Sequence, residues 1–424
     1  MSFDKKELTL KQNILFNSIG CLIYQGCQWA ITIAAVVLSS DYSNSGSLAF
    51  AMATGNIFFP LATYNMRTIQ VSDVNGECSQ EEYVGFRIVT VLGAVPLICC
   101  YAIVTAPDFG VLLTTACWLL FKADESFCSV YYGVDQVYMR MDYIGISQLL
   151  RGVLLLTTFC LLLVISGSLN IAITAAAAVC VAITIAFDRR AAESLASVRP
   201  NIVFNKASML VKKYLPAVIT LTSYGAVVSI ARQTYGSSFG TEALGVYAAV
   251  ATPTVLIQVS ASCLYSPMLG EIARLWNSGN TKAFVRRVLL VIGAIICFAG
   301  VGIMLSELIG DTVLKGVYGE SIAGSTWLLT PALIATAMTT IFAFSFDILT
   351  VMRKIGSALI ENLISLGACV AVSGLLINGF GANGVNITIT LSYFIGLLFF
   401  AGVFIWSVRS GPELDSDCQS GGRA

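Results

Sequence analysis

Apolar and polar residues are sorted along this chain in long blocks. Runs of about 20 to 25 apolar residues recur, separated by short charged stretches, and a helix of about 20 such residues spans a bilayer core. Twelve runs meet that description. They lie near 12–39, 47–69, 83–105, 110–134, 143–167 and 170–187 in the first half, and near 208–235, 244–267, 284–306, 324–348, 356–378 and 384–407 in the second. The pattern predicts an all-α polytopic membrane protein. Composition agrees, with 57% hydrophobic and 11% charged residues and a mean hydropathy of +0.82.

Charge placement sets orientation, because Lys and Arg stay on the cytoplasmic side of short loops. Of the 24 basic residues, 20 fall on one set of alternate connections, from Lys5, Lys6 and Lys11 through Arg67, Arg87 and Arg140 to Arg353, Lys354, Arg409 and Arg423. Lys122, Arg151 and Arg232 lie inside spans, and only Lys315 falls on the other side. Both termini are therefore expected in the cytoplasm, and the protein in the plasma (inner) membrane. The start, MSFDKKELTLKQ, precedes an apolar run too long for a signal peptide and without a small-residue cleavage site, so the first span is expected to stay.

The composition shifts at 188–206, DRRAAESLASVRPNIVFNK. That stretch reads as a cytoplasmic linker between two six-helix bundles, 12–187 and 207–407, flanked by a cytoplasmic N-terminus, 1–11, and a disordered polar tail, 408–424. The halves echo each other in AMAT (51–54) and AVAT (249–252), and in MRMDYIG (139–145) and MRKIG (352–356). Six helices per half imply a parallel repeat about an axis along the membrane normal.

Positions three and four apart share a helix face, and several spans carry polar lines at that spacing. The fourth has Lys122, Glu125, Ser129, Tyr132, Gln136 and Arg140. The first has Asn13, Asn17, Cys21, Tyr24 and Gln28, and the second Asn56, Pro60, Thr63 and Arg67. The seventh has Thr222, Gly225, Ser229 and Arg232, and the eighth Thr254, Gln258, Ser262 and Tyr265. Such groups also bridge neighbouring helices. Five seams on equivalent helices of both halves argue for a water-filled cavity between the bundles, lined by Lys122, Asp124, Glu125, Arg151, Arg67, Gln28, Asn56, Arg232 and Gln258.

Lys122 and Glu125, at i and i+3, can neutralise each other, with Arg151 left to balance Asp124. Arg151 and Glu125 stand at heights differing by roughly 9 Å at 1.5 Å per residue, so Arg151 is expected to face substrate, the alternative being a structural cluster holding helices four and five together. Arg232, near the outer end of its helix, is expected to snorkel. Asp347 and Glu361 lie near Arg353 and Lys354, as a gate or as an ion-pair cluster.

The chain has no His, no GxxxxGK[ST] phosphate loop, no HExxH and no paired cysteines with metal spacing, which excludes ATP hydrolysis in this chain and most zinc sites. The expectation is a transporter rather than an enzyme, with no metal, no cofactor, no disulfide and no nucleic-acid partner, and with H⁺ or Na⁺ coupling left open. Asn386 begins a glycosylation sequon but lies within the last span.

Three stretches resemble a known family. Helices four and five carry a YG pair and Gln, then R-MD--G-S---RG, at Tyr132, Gly133, Gln136, Arg140, Met141, Asp142, Gly145, Ser147, Arg151 and Gly152. Arg232 is followed by GSSFGTEALGVYAAV, and 313–329 reads VLKGVYGESIAGSTWLL. These are similar to the Wzx-like polysaccharide flippases of the multidrug/oligosaccharidyl-lipid/polysaccharide (MOP) exporter superfamily. Members often place an acid before the Arg of helix seven, where this chain has Ala231.

The resemblance implies two six-helix bundles of the MATE/MOP type working by alternating access. It implies as cargo an undecaprenyl-pyrophosphate-linked oligosaccharide, moved to the outer leaflet for O-antigen, capsule or exopolysaccharide (lipopolysaccharide-type) biosynthesis beside the polymerase machinery and among membrane lipids. Arg151, helped by Lys122 and Arg67, would draw the pyrophosphate. The rival within the superfamily is a cation-coupled drug exporter. A membrane glycosyltransferase is disfavoured by the short outer loops.

Overall fold

A computed structural model describes residues 7–39, 41–73, 76–265 and 268–411. Lys5, Lys6, Arg423, Cys418 and the polar tail lie outside them, as do the side chains of Leu256, Ile257, Ser262, Cys263 and Leu264. The fold is all-α, and helices stand at each of the twelve predicted places. Among the described residues, nine helices are long and apolar enough to cross a membrane.

The other three places show what interrupts the pattern. Helix α2, Ser43–Thr63, is diluted by Ser43, Asn44, Ser45 and Asn56. Helix α5, Phe109–Val137, carries Lys122, Asp124, Glu125 and Asp135. The predicted span 244–267 is broken into α10, Thr241–Ala251, and α11, Thr254–Tyr265, because Pro253 has no N–H to continue the helical hydrogen bonds.

Local chemistry sets the helix ends. Thr9 with Gln12 and Ser79 with Glu82 form capping boxes at the starts of α1, Leu10–Val37, and α4, Gln80–Thr105. α2 stops where Tyr64 and Asn65 turn left-handed (φ 52° and 50°). A short α3, Met66–Ser72, follows, so Arg67 sits on α3 and not on α2. In the loop beyond, burial pushes the Asp73 carboxyl up, but hydrogen bonds from Tyr83 (2.7 Å), Cys78 N (3.0 Å) and Glu77 N (2.9 Å) hold it below its ordinary value.

The remaining elements are α6, Met141–Ser166; α7, Leu169–Ile183; a π-turn, Thr184–Asp188; α8, Arg189–Leu195; α9, Phe204–Phe239; α12, Leu269–Asn277; α13, Thr281–Leu305; α14, Asp311–Tyr318; α15, Leu329–Val351; α16, Ile355–Phe380; and α17, Ala382–Ser410. Packing divides them into two compact units. One is Met1–Thr252 with Leu314–Ser325, and the other Pro253–Val313 with Thr326–Ala424. This boundary at Pro253 follows packing, whereas the sequence boundary at 188–206 follows the repeat.

In the first unit α6 lies on α1, where a Cβ on Gly20 would stand 2.6 Å from Gly145 Cα. α2 is surrounded by α4, α5, α9 and α10. Its closest approach to α10 is backbone on backbone: a Cβ on Gly46 would sit 1.7 Å from Thr241 O, and one on Gly245 2.0 Å from Tyr42 O. Ser43 and Thr241 hydroxyls meet there at 3.1 Å. Tyr24, Ile31, Trp118, Phe121, Leu155 and Phe159 form part of the core. Leu22 of α1, Leu92, Leu97 and Val104 of α4 and Val164 of α6 are exposed, as lipid-facing positions require. The second unit is built from α11–α13 and α15–α17 around Tyr265, Trp276, Phe284, Phe344 and Phe400.

Candidate substrate site

α5 organises the polar interior of the first unit. Asp108 caps its start, accepting from Val111 N at 2.9 Å, and its 29 residues carry charge at mid-length. Lys122 and Glu125 pair at 2.6 Å, and Tyr24 of α1 donates to Glu125 at 2.9 Å. The Lys122 ammonium also lies 5.4 Å from the Phe59 ring centre, 5.6 Å from Trp118 and 5.3 Å from Phe121, so an aromatic box offsets part of its desolvation. Gly55 leaves room for it, since a Cβ there would stand 2.8 Å from Trp118 Nε1 and 3.3 Å from Lys122 Cγ. The pair keeps some contact with the surroundings, at 13% and 19% side-chain exposure.

The neighbouring face is sealed. Arg151 of α6 donates to Asp124 at 2.8 Å and to Asp188 at 3.2 Å, and also bonds the Thr184 hydroxyl, which itself donates to Asp124 at 2.6 Å. Cys128 donates to Asp188 at 3.2 Å, and the Tyr132 and Ser147 hydroxyls meet at 2.7 Å. Side-chain exposure is 2% for Arg151, 5% for Asp124 and 1% for Asp188. The π-turn after α7 brings Thr184 and Asp188 together on this face, as such turns often do at special sites.

Several sequence expectations change here. Arg151 does balance Asp124, but its terminal nitrogens are shared with Thr184 and a second acid and its side chain is 2% exposed, so the picture of Arg151 open to a phosphate does not describe this conformation. Asp188 is interior, not the first residue of a solvated linker. The height mismatch concerned Glu125, which takes Lys122 and Tyr24 instead.

Other predicted residues separate. Arg67 donates to Gln136 at 3.0 Å and lies 5.7 Å from the Tyr132 ring centre. Gln28 is half-buried on α1, and Asn56 is exposed on α2 even though its helix neighbours are buried. Pro60 frees the Asn56 carbonyl, which α9 approaches closely at Gly225. Arg232 is half-buried and hydrogen-bonds Tyr247, so a tyrosine, not an outward reach, holds it. Gln258 is half-buried on α11 in the second unit. Asp347 and Glu361 form no ion pair with Arg353 or Lys354: Asp347 bonds Tyr265, and Glu361 is fully buried beside Ser345.

Besides Asp188, the sequence reading missed two interior charges. Arg87, assigned to a loop flank, is 0% exposed and donates to Ala62 O at 2.6 Å and Ser129 at 3.1 Å. It serves an unpaired carbonyl at the C-terminus of α2, where the helix dipole favours a cation. Asp135 is 1% exposed, with Oδ1 unpartnered. Its place one residue off the polar line of α5 hid it.

No protein-family model matches the chain. It is 23% identical over 390 residues to the capsular polysaccharide biosynthesis protein CapF of Staphylococcus aureus, covering 88% of this chain and 93% of that protein. An inward-facing multidrug resistance MATE family transporter of the MOP superfamily superposes with a TM-score of 0.71, covering 93% of this chain and 99% of its own at 10% identity. This chain has the MOP transporter fold. The lipid II flippase MurJ, in an inward closed conformation, shares that MOP fold at TM-score 0.70 and 11% identity, over 93% of this chain and 88% of its own. With its apolar helices, the MOP fold makes this a multi-pass membrane protein, and its structural neighbours are transporters and a flippase rather than enzymes.

Proposed function

We propose that the protein is a flippase that carries an undecaprenyl-pyrophosphate-linked oligosaccharide from the inner to the outer leaflet by alternating access, for capsule, O-antigen or exopolysaccharide assembly. The observation that carries this reading is the near full-length similarity to a capsular polysaccharide biosynthesis protein, and the MurJ-like fold supports a lipid-linked cargo. The physics points the same way. Each sugar hydroxyl left unpartnered in hydrocarbon costs about 2–7 kcal/mol, so the head group needs a polar path while its isoprenoid tail stays in lipid.

In this reading Lys122 and Arg67 attract the pyrophosphate, since Lys122 keeps some exposure and Arg67 is held only by a neutral amide and a ring. Arg151 anchors α5, α6 and the π-turn. Asn56 and Gln28 supply hydrogen bonds to sugar. Polymerase partners and a plasma-membrane location with cytoplasmic termini belong to the same proposal.

The MATE-like fold favours one rival, a cation-coupled drug exporter. Deleting the chain from its host separates the two. Loss of surface glycan, with lipid-linked repeat units accumulating inside and drug sensitivity unchanged, is expected. Normal glycan with increased drug sensitivity overturns the flippase reading.

A further inference from the structure

Glu361, on the first turns of α16, is a buried acid of the second unit. It is 0% exposed, its Oε2 has no hydrogen-bond partner, and it takes part in no ion pair. α17 closes over it, since a Cβ on Gly396 would stand 2.1 Å from Ser365 Oγ and 3.2 Å from Glu361 O. Its single polar neighbour is the Ser345 hydroxyl of α15, 2.6 Å from Oε1.

Hydrogen counting limits what that contact can supply. Ser345 Oγ also lies 2.7 Å from the Phe342 carbonyl oxygen. A hydroxyl has one hydrogen, so it serves either Phe342 O or Glu361 Oε1 and not both. Ser345 therefore gives the Glu361 carboxyl at most one hydrogen bond, and Oε2 has none. An ionised carboxylate there would leave its acceptor sites facing apolar groups, and such a buried charge neutralises instead.

Among the described residues, no cation pairs with Glu361. α15 and α17 are the helices packed on α16. On α15 the only acid, Asp347, bonds Tyr265. On α16, Cys369 lies two turns away against Ser392. On α17, Tyr393 packs its ring 4.5 Å from Phe342, and Arg409 is exposed. At the α15–α16 turn, Lys354 lies 5.1 Å from the Trp406 ring centre, and Arg353 forms no ion pair with Glu361.

We propose that Glu361 is a proton-binding site, occupied in this conformation, and that exchange of its proton with solvent is the step coupling H⁺ to transport. Ionisation requires α15 and α17 to part far enough for water to reach Oε2, so proton release and helix rearrangement occur together. The coupling rests on the transport reading above, but the bound proton does not.

Infrared spectroscopy of the full chain in lipid nanodiscs tests the site without cargo. Wild type should keep a carboxylic-acid carbonyl band at neutral pH that moves in D₂O. Ser345→Ala should shift that band, and Glu361→Gln should remove it while leaving the fold intact, because the amide has the same shape and can still hydrogen-bond Ser345. A band that Glu361→Gln leaves unchanged, or no such band in wild type, overturns the site. In cells, Glu361→Gln should abolish glycan export at matched protein level; export with wild-type pH dependence overturns the coupling. A strain lacking the protein that still displays glycan refutes the cargo reading alone, and the band then decides the proton site.

Discussion

Replacing Arg151 by Gln should remove the protein from the membrane rather than disable a folded one. The guanidinium serves two carboxylates at once, Asp124 at 2.8 Å and Asp188 at 3.2 Å, both almost without solvent contact. Removing one partner of a single buried pair costs about 3–5 kcal/mol. Here two acids lose their countercharge together, so the loss should lie at or above the top of that range. Native proteins have only about 5–15 kcal/mol in hand. Arg151→Lys should fall between, because one ammonium cannot reproduce the forked contact to Asp124 on one side and to Thr184 and Asp188 on the other. Arg151→Met combined with Asp124→Asn and Asp188→Asn should recover much of the loss by removing all three charges. The assay is fluorescence-detected size exclusion with a thermal ramp in nanodiscs. If Arg151→Gln is as abundant and as heat-stable as wild type while glycan export disappears, the anchoring argument fails and Arg151 returns to the cargo.

Lys122→Met should cost less stability than Arg151→Gln, since Glu125 keeps Tyr24 and partial exposure. It should lower glycan export at matched protein level, with Lys122→Arg restoring part of it. Arg87→Met should cost little stability in the thermal ramp, about 1–2 kcal/mol or less, because Thr90 also donates to Ala62 O at 2.7 Å; a collapse of folded yield would reveal an anionic partner. Asp73, held below its ordinary value, stabilises its loop above the unfolded carboxylate range, about pH 4, and that contribution is lost as pH falls through its own lower value. Amide exchange at Glu77 and Cys78 should therefore show an acid step that Asp73→Asn lacks, and an identical profile in both proteins would contradict the assignment.

The number and places of the helices were legible because a bilayer imposes one length and one polarity on every span. Pairings within α5 were legible for the same kind of reason, as i to i+3 neighbours such as Lys122 and Glu125 meet on any helix. Pairings that depend on backbone irregularity were not. Asp188 reads as a linker residue until the π-turn rotates it inward, and Arg87 reads as a loop cation until α2 ends at Tyr64 and leaves a carbonyl to satisfy. The expected cluster of Glu361 with Arg353 and Lys354 failed because closeness in number does not give direction: the α15–α16 turn sends Lys354 to Trp406 and Glu361 into the helix interface.

At the crossing of α2 and α10 backbone meets backbone. Gly46 lies eight residues before Thr54, and Gly245 seven before Thr252, so the two halves of the repeat meet at nearly matching points. Backbone touching backbone interlocks no rotamers, and little has to be unthreaded when it separates. It also admits no gradation, because the first added carbon already overlaps a carbonyl oxygen at either glycine. Substitution there would not weaken this arrangement by degrees; it would forbid it and leave the chain only those conformations in which α2 and α10 stand apart.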